Sequence, residues 1–145
     1  MSSRLASSTI QTMSHQSVIA DSLAALSRGD VAGHLANCTE DVVVEFPFAT
    51  PPVRIKGNDA LGRYLSQALD VFSLSLTLTR VIVGEDPDLV VAEYESVGSV
   101  STTSREYQNS YITIFAFRGP LIRSQREYYN PLPALAALRE DQGLR

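Results

Sequence analysis

The chain has 145 residues, 44% hydrophobic and 19% charged, which fits one globular domain burying roughly two-thirds of its unfolded surface. A net charge of −4 and a pI near 5.1 argue against nucleic-acid binding, and no apolar run approaches the roughly 18 residues of a membrane span. The single cysteine, Cys38, rules out an internal disulfide and fits a reducing, cytoplasmic setting.

Residues 1 to 13 are rich in Ser and Thr and carry one Arg and no acid, which reads as a flexible tail. Ser14 is placed to cap a helix carrying Val18, Ile19, Leu23 and Leu26 at helical spacing, stopped at Arg28-Gly29. Asp30 caps a shorter helix with Val31, Leu35 and Cys38 on it. From Asp41 the period becomes two: Val42, Val44, Phe46 and Phe48 alternate with Val43, Glu45 and Pro47, a strand kept short by Pro47, Pro51 and Pro52. A proline-rich loop and Gly57 lead into a helix from about Asn58 to Leu69, with Leu61, Tyr64, Leu65 and Ala68 on one side.

The rest reads as a meander. Leu74, Leu76 and Leu78 alternate with Ser and Thr, and the run continues to Val83. Gly84 to Asp88 is a turn. Leu89 to Val100 is a strand, Ser101 to Ser104 a polar connection, and Tyr107 to Phe117 a strand returning through Arg118-Gly119-Pro120 into Ile122 to Asn130. Leu132 to Arg139 closes the chain as a helix. Helices followed by antiparallel strands predict an α+β domain over residues 14 to 140, a curved antiparallel or mixed sheet wrapped as a cone around the N-terminal helices, with residues 141 to 145 as a tail. Such a cone leaves a pocket between sheet and helices.

Chemistry concentrates on few residues. Strict alternation puts Arg123, Gln125, Glu127 and Tyr129 on one face of the last strand, and Ile122, Ser124, Arg126 and Tyr128 on the other. Glu127 is therefore either a salt-bridged strand residue or a pocket carboxylate. Glu93 and Glu95 share a strand face. They either converge with Glu127, where crowding raises a carboxylate pKa, or lie in solvent paired with Arg80 or Arg105. Tyr107, Asn109, Tyr111, Thr113, Phe115 and Phe117 share a face that suits a pocket wall or a subunit interface equally. Cys38 reads as a buried structural thiol. His15 and His34 are not spaced with other ligands, so no metal site is expected, and no phosphate loop, nucleophile elbow or dinucleotide fingerprint is present. Chemistry without a cofactor, or binding alone, remains.

Four segments carry a likeness: Ala25-Leu26-Ser27-Arg28-Gly29-Asp30, Glu40-Asp41-Val42-Val43-Val44-Glu45-Phe46-Pro47, Gly57-Asn58-Asp59-Ala60-Leu61, and Arg126-Glu127-Tyr128-Tyr129-Asn130-Pro131-Leu132. In this order, and over about residues 14 to 140, the chain resembles the SnoaL-like branch of the superfamily named for nuclear transport factor two. That group holds ketosteroid isomerases, limonene-epoxide hydrolases, polyketide cyclases and phenazine-biosynthesis A/B proteins. The resemblance implies a cystatin-like roll, a hydrophobic pocket, a homodimer through the sheet and a role in secondary metabolism. It also implies that Glu127 matches an acidic proton donor of phenazine A/B proteins and epoxide hydrolases, and the run Tyr107-Gln108-Asn109-Ser110-Tyr111 is similar to the corresponding phenazine A/B strand. The departures matter as much. Phe46 stands where the isomerases carry their aspartate base, Phe46 and Phe48 stand where the hydrolases clamp water with Tyr and Asn, and the hydrolase Arg and Asp fall near Glu93 and Glu95. Steroid isomerisation and epoxide hydrolysis are therefore disfavoured.

The expectation is a cofactor-free isomerase- or cyclase-type enzyme acting by general acid–base catalysis on a small hydrophobic metabolite. Glu127 is its catalytic group. Glu93, Glu95, Tyr107, Asn109 and Tyr129 contact polar parts of the ligand, and Phe46, Phe48, Tyr64 and Leu65 supply apolar wall. The alternative is a non-catalytic ligand-binding or dimerisation module of the same fold.

Overall fold

The computed structural model describes residues 14 to 139. The expected tails at 1 to 13 and 141 to 145 lie outside the described residues. Ten elements follow in order: α1 (His15–Ser27), α2 (Val31–Leu35), β1 (Cys38–Phe46), β2 (Val53–Lys56), α3 (Asn58–Val71), β3 (Phe72–Val83), β4 (Leu89–Val100), β5 (Glu106–Arg118), β6 (Leu121–Tyr129) and α4 (Pro131–Leu138).

Local chemistry starts and stops the helices. The Ser14 hydroxyl accepts the Ser17 N–H at 3.2 Å, the Asp30 carboxylate accepts the Gly33 N–H at 2.8 Å, and the Asn130 side chain accepts the Leu132 N–H at 3.0 Å just before Pro131 opens α4. Gly29, at φ 73°, ends α1 in a conformation that a side chain disfavours.

The six strands form one curved, unclosed sheet in the order β2-β1-β6-β5-β4-β3, so the fold is α+β as expected. Neighbours are antiparallel except β1 and β6, which run parallel. Strand β2 was not anticipated. Its four residues follow three prolines, and their pairing with Val43 to Phe46 is what gives them strand conformation. The concave face packs on Val18, Ile19 and Leu23 of α1 and on Leu61 of α3. From the sheet it contributes Val42, Val44, Val90, Ala92, Phe115, Phe117 and Ile122. Among the described residues no helix is long and apolar enough to cross a membrane.

Two registers decide which side chains enter the concavity. In β4 the inward set is Val90, Ala92, Tyr94, Ser96 and Val100, all buried, so Glu93 and Glu95 point to the other face. In β6 the pairing slips: Phe117 faces Ile122, but the next β5 residue, Ala116, faces Ser124. Arg123 is thus an extra, exposed residue on β6, a β-bulge. It reverses the alternation, so Ile122 is fully buried with Phe117 although Gln125, Glu127 and Tyr129 also face inward. Strict period two had placed Arg123 with Glu127 and Ile122 opposite. Both placements are corrected by the bulge.

Candidate active site

Between the sheet and the helices lies a cavity of about 200 Å³. Helix α1 supplies Ser22, Leu23 and Leu26, α2 supplies His34, and α3 supplies Leu61, Tyr64, Leu65, Ala68 and Leu69. The sheet adds Val44, Phe46, Phe72, Leu74, Leu76, Tyr94, Tyr107, Tyr111, Phe115, Gln125, Glu127 and Tyr129, and α4 adds Ala134. Among the described lining residues Glu127 is the one carboxylate.

Glu127 keeps some accessible surface, and that surface borders the cavity. Removal from bulk water pushes its pKa up from 4.5 to about 7, and the hydrogen bond it accepts from Tyr94 holds it back from rising further. Tyr94 is buried two strands away on β4, and its hydroxyl reaches Glu127 Oε1 while lying 2.7 Å from Thr113 Oγ1. Burial first, and then the Glu127 charge, raise the Tyr94 pKa well above its usual value, so the phenol stays protonated. The Tyr94 ring stacks on Tyr111 at 5.0 Å.

Next to this pair is a cluster of hydroxyls. Tyr111 Oη is 2.8 Å from Ser96 Oγ and 3.2 Å from Tyr107 Oη. Asn109 Oδ1 accepts the Ser110 N–H at 2.9 Å, which turns Nδ2 toward Tyr107 Oη at 2.7 Å and the Asn130 carbonyl at 2.8 Å. Tyr107 Oη therefore accepts from Asn109, and its own hydrogen is left for Tyr111 or for the cavity.

The expected residues divide cleanly by position. Glu127, Tyr107, Tyr129, Phe46, Tyr64 and Leu65 are brought together around the cavity. Phe46 stacks on Tyr64 at 5.4 Å and meets Tyr129 edge-on at 6.3 Å. Asn109 stands behind Tyr107 rather than in the lining. Phe48 is 55% exposed against Tyr128 and lies outside the cavity, because the chain turns away after Phe46. Glu93 and Glu95 do not reach Glu127: Glu93 pairs with Arg80 at 2.9 Å on the outer face, and Glu95 is exposed there. The three-carboxylate cluster is not formed.

Sequence reasoning missed Tyr94 and His34 as lining residues, whereas it places Tyr111 and Gln125 on the Tyr107 and Glu127 faces that line the cavity. The signal for Tyr94 was the row Val90, Ala92, Tyr94, Ser96, whose small and apolar members mark it as the buried face. His34 is 3% exposed. Cys38 is buried, and burial raises its pKa to about 11, leaving a thiol. Among the described residues no group of three or more His, Cys, Asp or Glu is placed to hold a metal ion.

A cone of sheet closed by helices over a cavity with a single carboxylate defines a nuclear-transport-factor-2-like, ketosteroid-isomerase-like fold. The family model for the SnoaL-like domain matches residues 19–125, and the chain belongs to that family. A solved structure from Bacillus subtilis, named as a candidate isomerase, superposes with a TM-score of 0.79 at 30% identity, covering 83% of this chain and 89% of that one. A candidate polyketide cyclase from Xanthomonas campestris gives 0.75 at 24% identity over 86% and 96% of the two chains, a likeness of fold alone. By sequence, an uncharacterized PhzA/B-like protein of Pseudomonas aeruginosa is 26% identical over 128 residues, 87% of this chain and 91% of its own length. The uncharacterized protein YesE of Bacillus subtilis is 35% identical over 96 residues, 64% of this chain and 65% of its own.

Proposed function

We propose that the protein is an acid–base enzyme of isomerase or cyclase type, working without a cofactor on a small apolar metabolite, with Glu127 carrying the proton. The observation behind this reading is a lone carboxylate in an apolar cavity, its pKa near 7 and its oxygen held by a buried tyrosine. At neutral pH such a group is divided between acid and base forms, the condition under which general acid–base catalysis works best and contributes about 10²–10⁴-fold. Tyr94 suits both forms. It donates to the carboxylate while Thr113 donates to it, and when Glu127 is protonated the same chain of hydroxyls runs in reverse. Tyr107, turned by Asn109, supplies a hydrogen-bond donor for a ligand oxygen, with Tyr129 beside it, while Phe46, Tyr64 and Leu65 hold the apolar part. The name of the Bacillus subtilis isomerase structure agrees with this class of reaction.

Size narrows the ligand. A cavity of about 150 Å³ holds one benzene, so about 200 Å³ holds one substituted six-membered ring. The test is hydrogen–deuterium exchange next to the carbonyl of a panel of cyclohexenones in D2O, comparing the wild type with Glu127→Gln. Exchange that falls about 10²-fold or more in the variant supports the reading. Rings that bind without exchange identify the protein as a binding module instead.

We also propose a homodimer through the outer sheet face. Ile82, Val91 and Ile114 lie in one continuous cross-strand row there, and Ile114 and its neighbour Ile112 are 37% and 45% exposed. Sedimentation of the wild type against Ile114→Arg tests it. A dimer that becomes a monomer is expected, and a monomeric wild type overturns it.

A further inference from the structure

One polar pair in the cavity wall has no part in the proton chemistry above. His34, on the short helix α2, is almost fully buried yet lines the cavity, and its Nδ1 lies 3.3 Å from the Ser22 carbonyl oxygen. A carbonyl only accepts, so Nδ1 carries the hydrogen and Nε2 presents a lone pair. Burial lowers the His34 pKa, which keeps the ring neutral at neutral pH. Gln125 Nε2 stands 3.4 Å from that lone pair and 4.0 Å from Cys38 Sγ. The amide orientation follows: its N–H side faces the imidazole, and its carbonyl oxygen Oε1 is the free end. Among the described residues no donor reaches Oε1, and it keeps accessible surface on a residue that lines the cavity. Leaving a strong acceptor unpaired against an apolar cavity costs free energy, whereas a matched donor recovers it.

Gln125 and Glu127 share the inward face of β6 two residues apart, which spaces their Cα atoms by about 6.7 Å. That is roughly the span of one substituted ring. We infer that His34 and Gln125 form a positioning subsite in which Gln125 Oε1 accepts a hydrogen bond from a hydroxyl or N–H group on the substrate, one ring's width from Glu127. His34 is a positioning residue: its fixed tautomer turns the amide so that an acceptor, not a donor, faces the ligand. The substrate class is thereby a single-ring molecule bearing a hydrogen-bond donor. The inference rests on the cavity's being a ligand site.

The probes are phenol, anisole and toluene, which share a ring and differ in the donor, titrated against the full chain by NMR. The wild type is expected to bind phenol at least about fivefold more tightly than anisole, the value of one net hydrogen bond. In Gln125→Met, which keeps the length and loses the acceptor, the two probes become equal; in Glu127→Gln the preference persists although proton exchange is lost. A preference that survives Gln125→Met and disappears in Glu127→Gln overturns the subsite and leaves the Glu127 reading standing. If none of the probes binds, the subsite falls, while Glu127 is still judged by exchange. A readout on the wild type needs no variant: the imidazole nitrogen shifts of His34, one of two histidines in the chain, are expected to show the Nδ1–H tautomer and to move with phenol. The Nε2–H tautomer overturns the inference.

Discussion

Tyr94 and Glu127 are 33 residues apart and two strands apart, yet the tyrosine hydroxyl donates directly to the carboxylate. The register explains how. Thr113 on β5 stands opposite Glu127 on β6, and its hydroxyl lies 2.7 Å from Tyr94 Oη, so a small side chain on the middle strand opens the path between its neighbours. A large residue at 113 would separate the pair. The carboxylate thus has a hydrogen-bond partner that is buried, neutral and able to adjust to either protonation state, and an environment otherwise hostile to charge.

Tyr94→Phe should raise the Glu127 pKa above about 7. The hydrogen bond stabilises the ionised carboxylate, so removing it favours the protonated form, and burial then acts unopposed. Titration of the Glu127 carboxyl carbon by NMR checks the direction. The acidic limb of any pH–rate profile should move upward with it. A midpoint that stays or falls would sink the assigned role of Tyr94.

Glu127 should also make stability fall with pH. Its folded pKa lies above the ordinary 4.5, so below about pH 4.5 both folded and unfolded states hold the proton and nothing is lost. As pH rises toward 7 the unfolded chain releases its proton first, and the folded state is progressively disfavoured until its own group ionises. The gap between 4.5 and about 7 converts to about 3 kcal/mol at most, less to the extent that water enters the cavity. Urea unfolding of the wild type and Glu127→Gln at pH 4.5, 6 and 8 isolates this contribution. The wild type should lose ground to the variant across that range, and a constant difference would contradict the buried-carboxylate account.

Periodicity made most of this fold legible. The caps at Ser14 and Asp30, the length of β4 and the inward row from Tyr107 to Phe117 all follow from side-chain spacing, and the ordered short motifs pointed to the family. What spacing could not supply was phase across strands. Glu93 and Glu95 share a face opposite the small and apolar row Val90, Ala92, Tyr94 and Ser96, and the pairing of Ala92 with Thr113 and Tyr94 with Tyr111 fixes that face as the outer one. The Arg123 bulge has no marker in the sequence. Phe48 continues the alternation of β1 on paper, whereas the turn at residues 47 and 48 takes it out of the strand. Gln125 was placed on the correct face, but its partnership with His34 depends on a contact 91 residues distant in sequence.

Deleting Arg123 tests how far the site depends on the bulge itself. Without the extra residue Ile122 and Gln125 stand two apart, so a regular ladder against β5 keeps Ile122, Gln125 and Glu127 all facing inward. The deletion variant should therefore fold with its inward row intact and lose no more than about 3 kcal/mol. Arg123→Ala keeps the residue count and should stay within about 0.5 kcal/mol of the wild type. Chemical denaturation of the two variants separates the spacing from the side chain. A deletion variant that fails to fold would mean that the bulge is needed to hold Ile122 and Glu127 on one face.

Gly98→Ala should be costly for a reason that lies between strands. Gly98 pairs with Leu74 on one side and Tyr107 on the other. A Cβ placed on it would sit 1.8 Å from the Ser73 carbonyl oxygen and 3.0 Å from Leu74 Cα, both backbone atoms of β3. Backbone cannot rotate aside as a side chain can, so β3 must move away from β4, taking Phe72 from its edge-on contact with Tyr107 at 5.1 Å. Overpacking of this kind costs about 3 kcal/mol, which in a chain of this length lowers Tm by roughly 10 °C. Gly84, where a Cβ meets nothing within 4 Å, is the control, and Gly84→Ala should melt within a degree or two of the wild type. Thermal melts followed by circular dichroism compare them. If Gly98→Ala melts with the control, β3 does not approach β4 as closely at Ser73 as described, and the tyrosine end of the cavity is wider than its contacts imply.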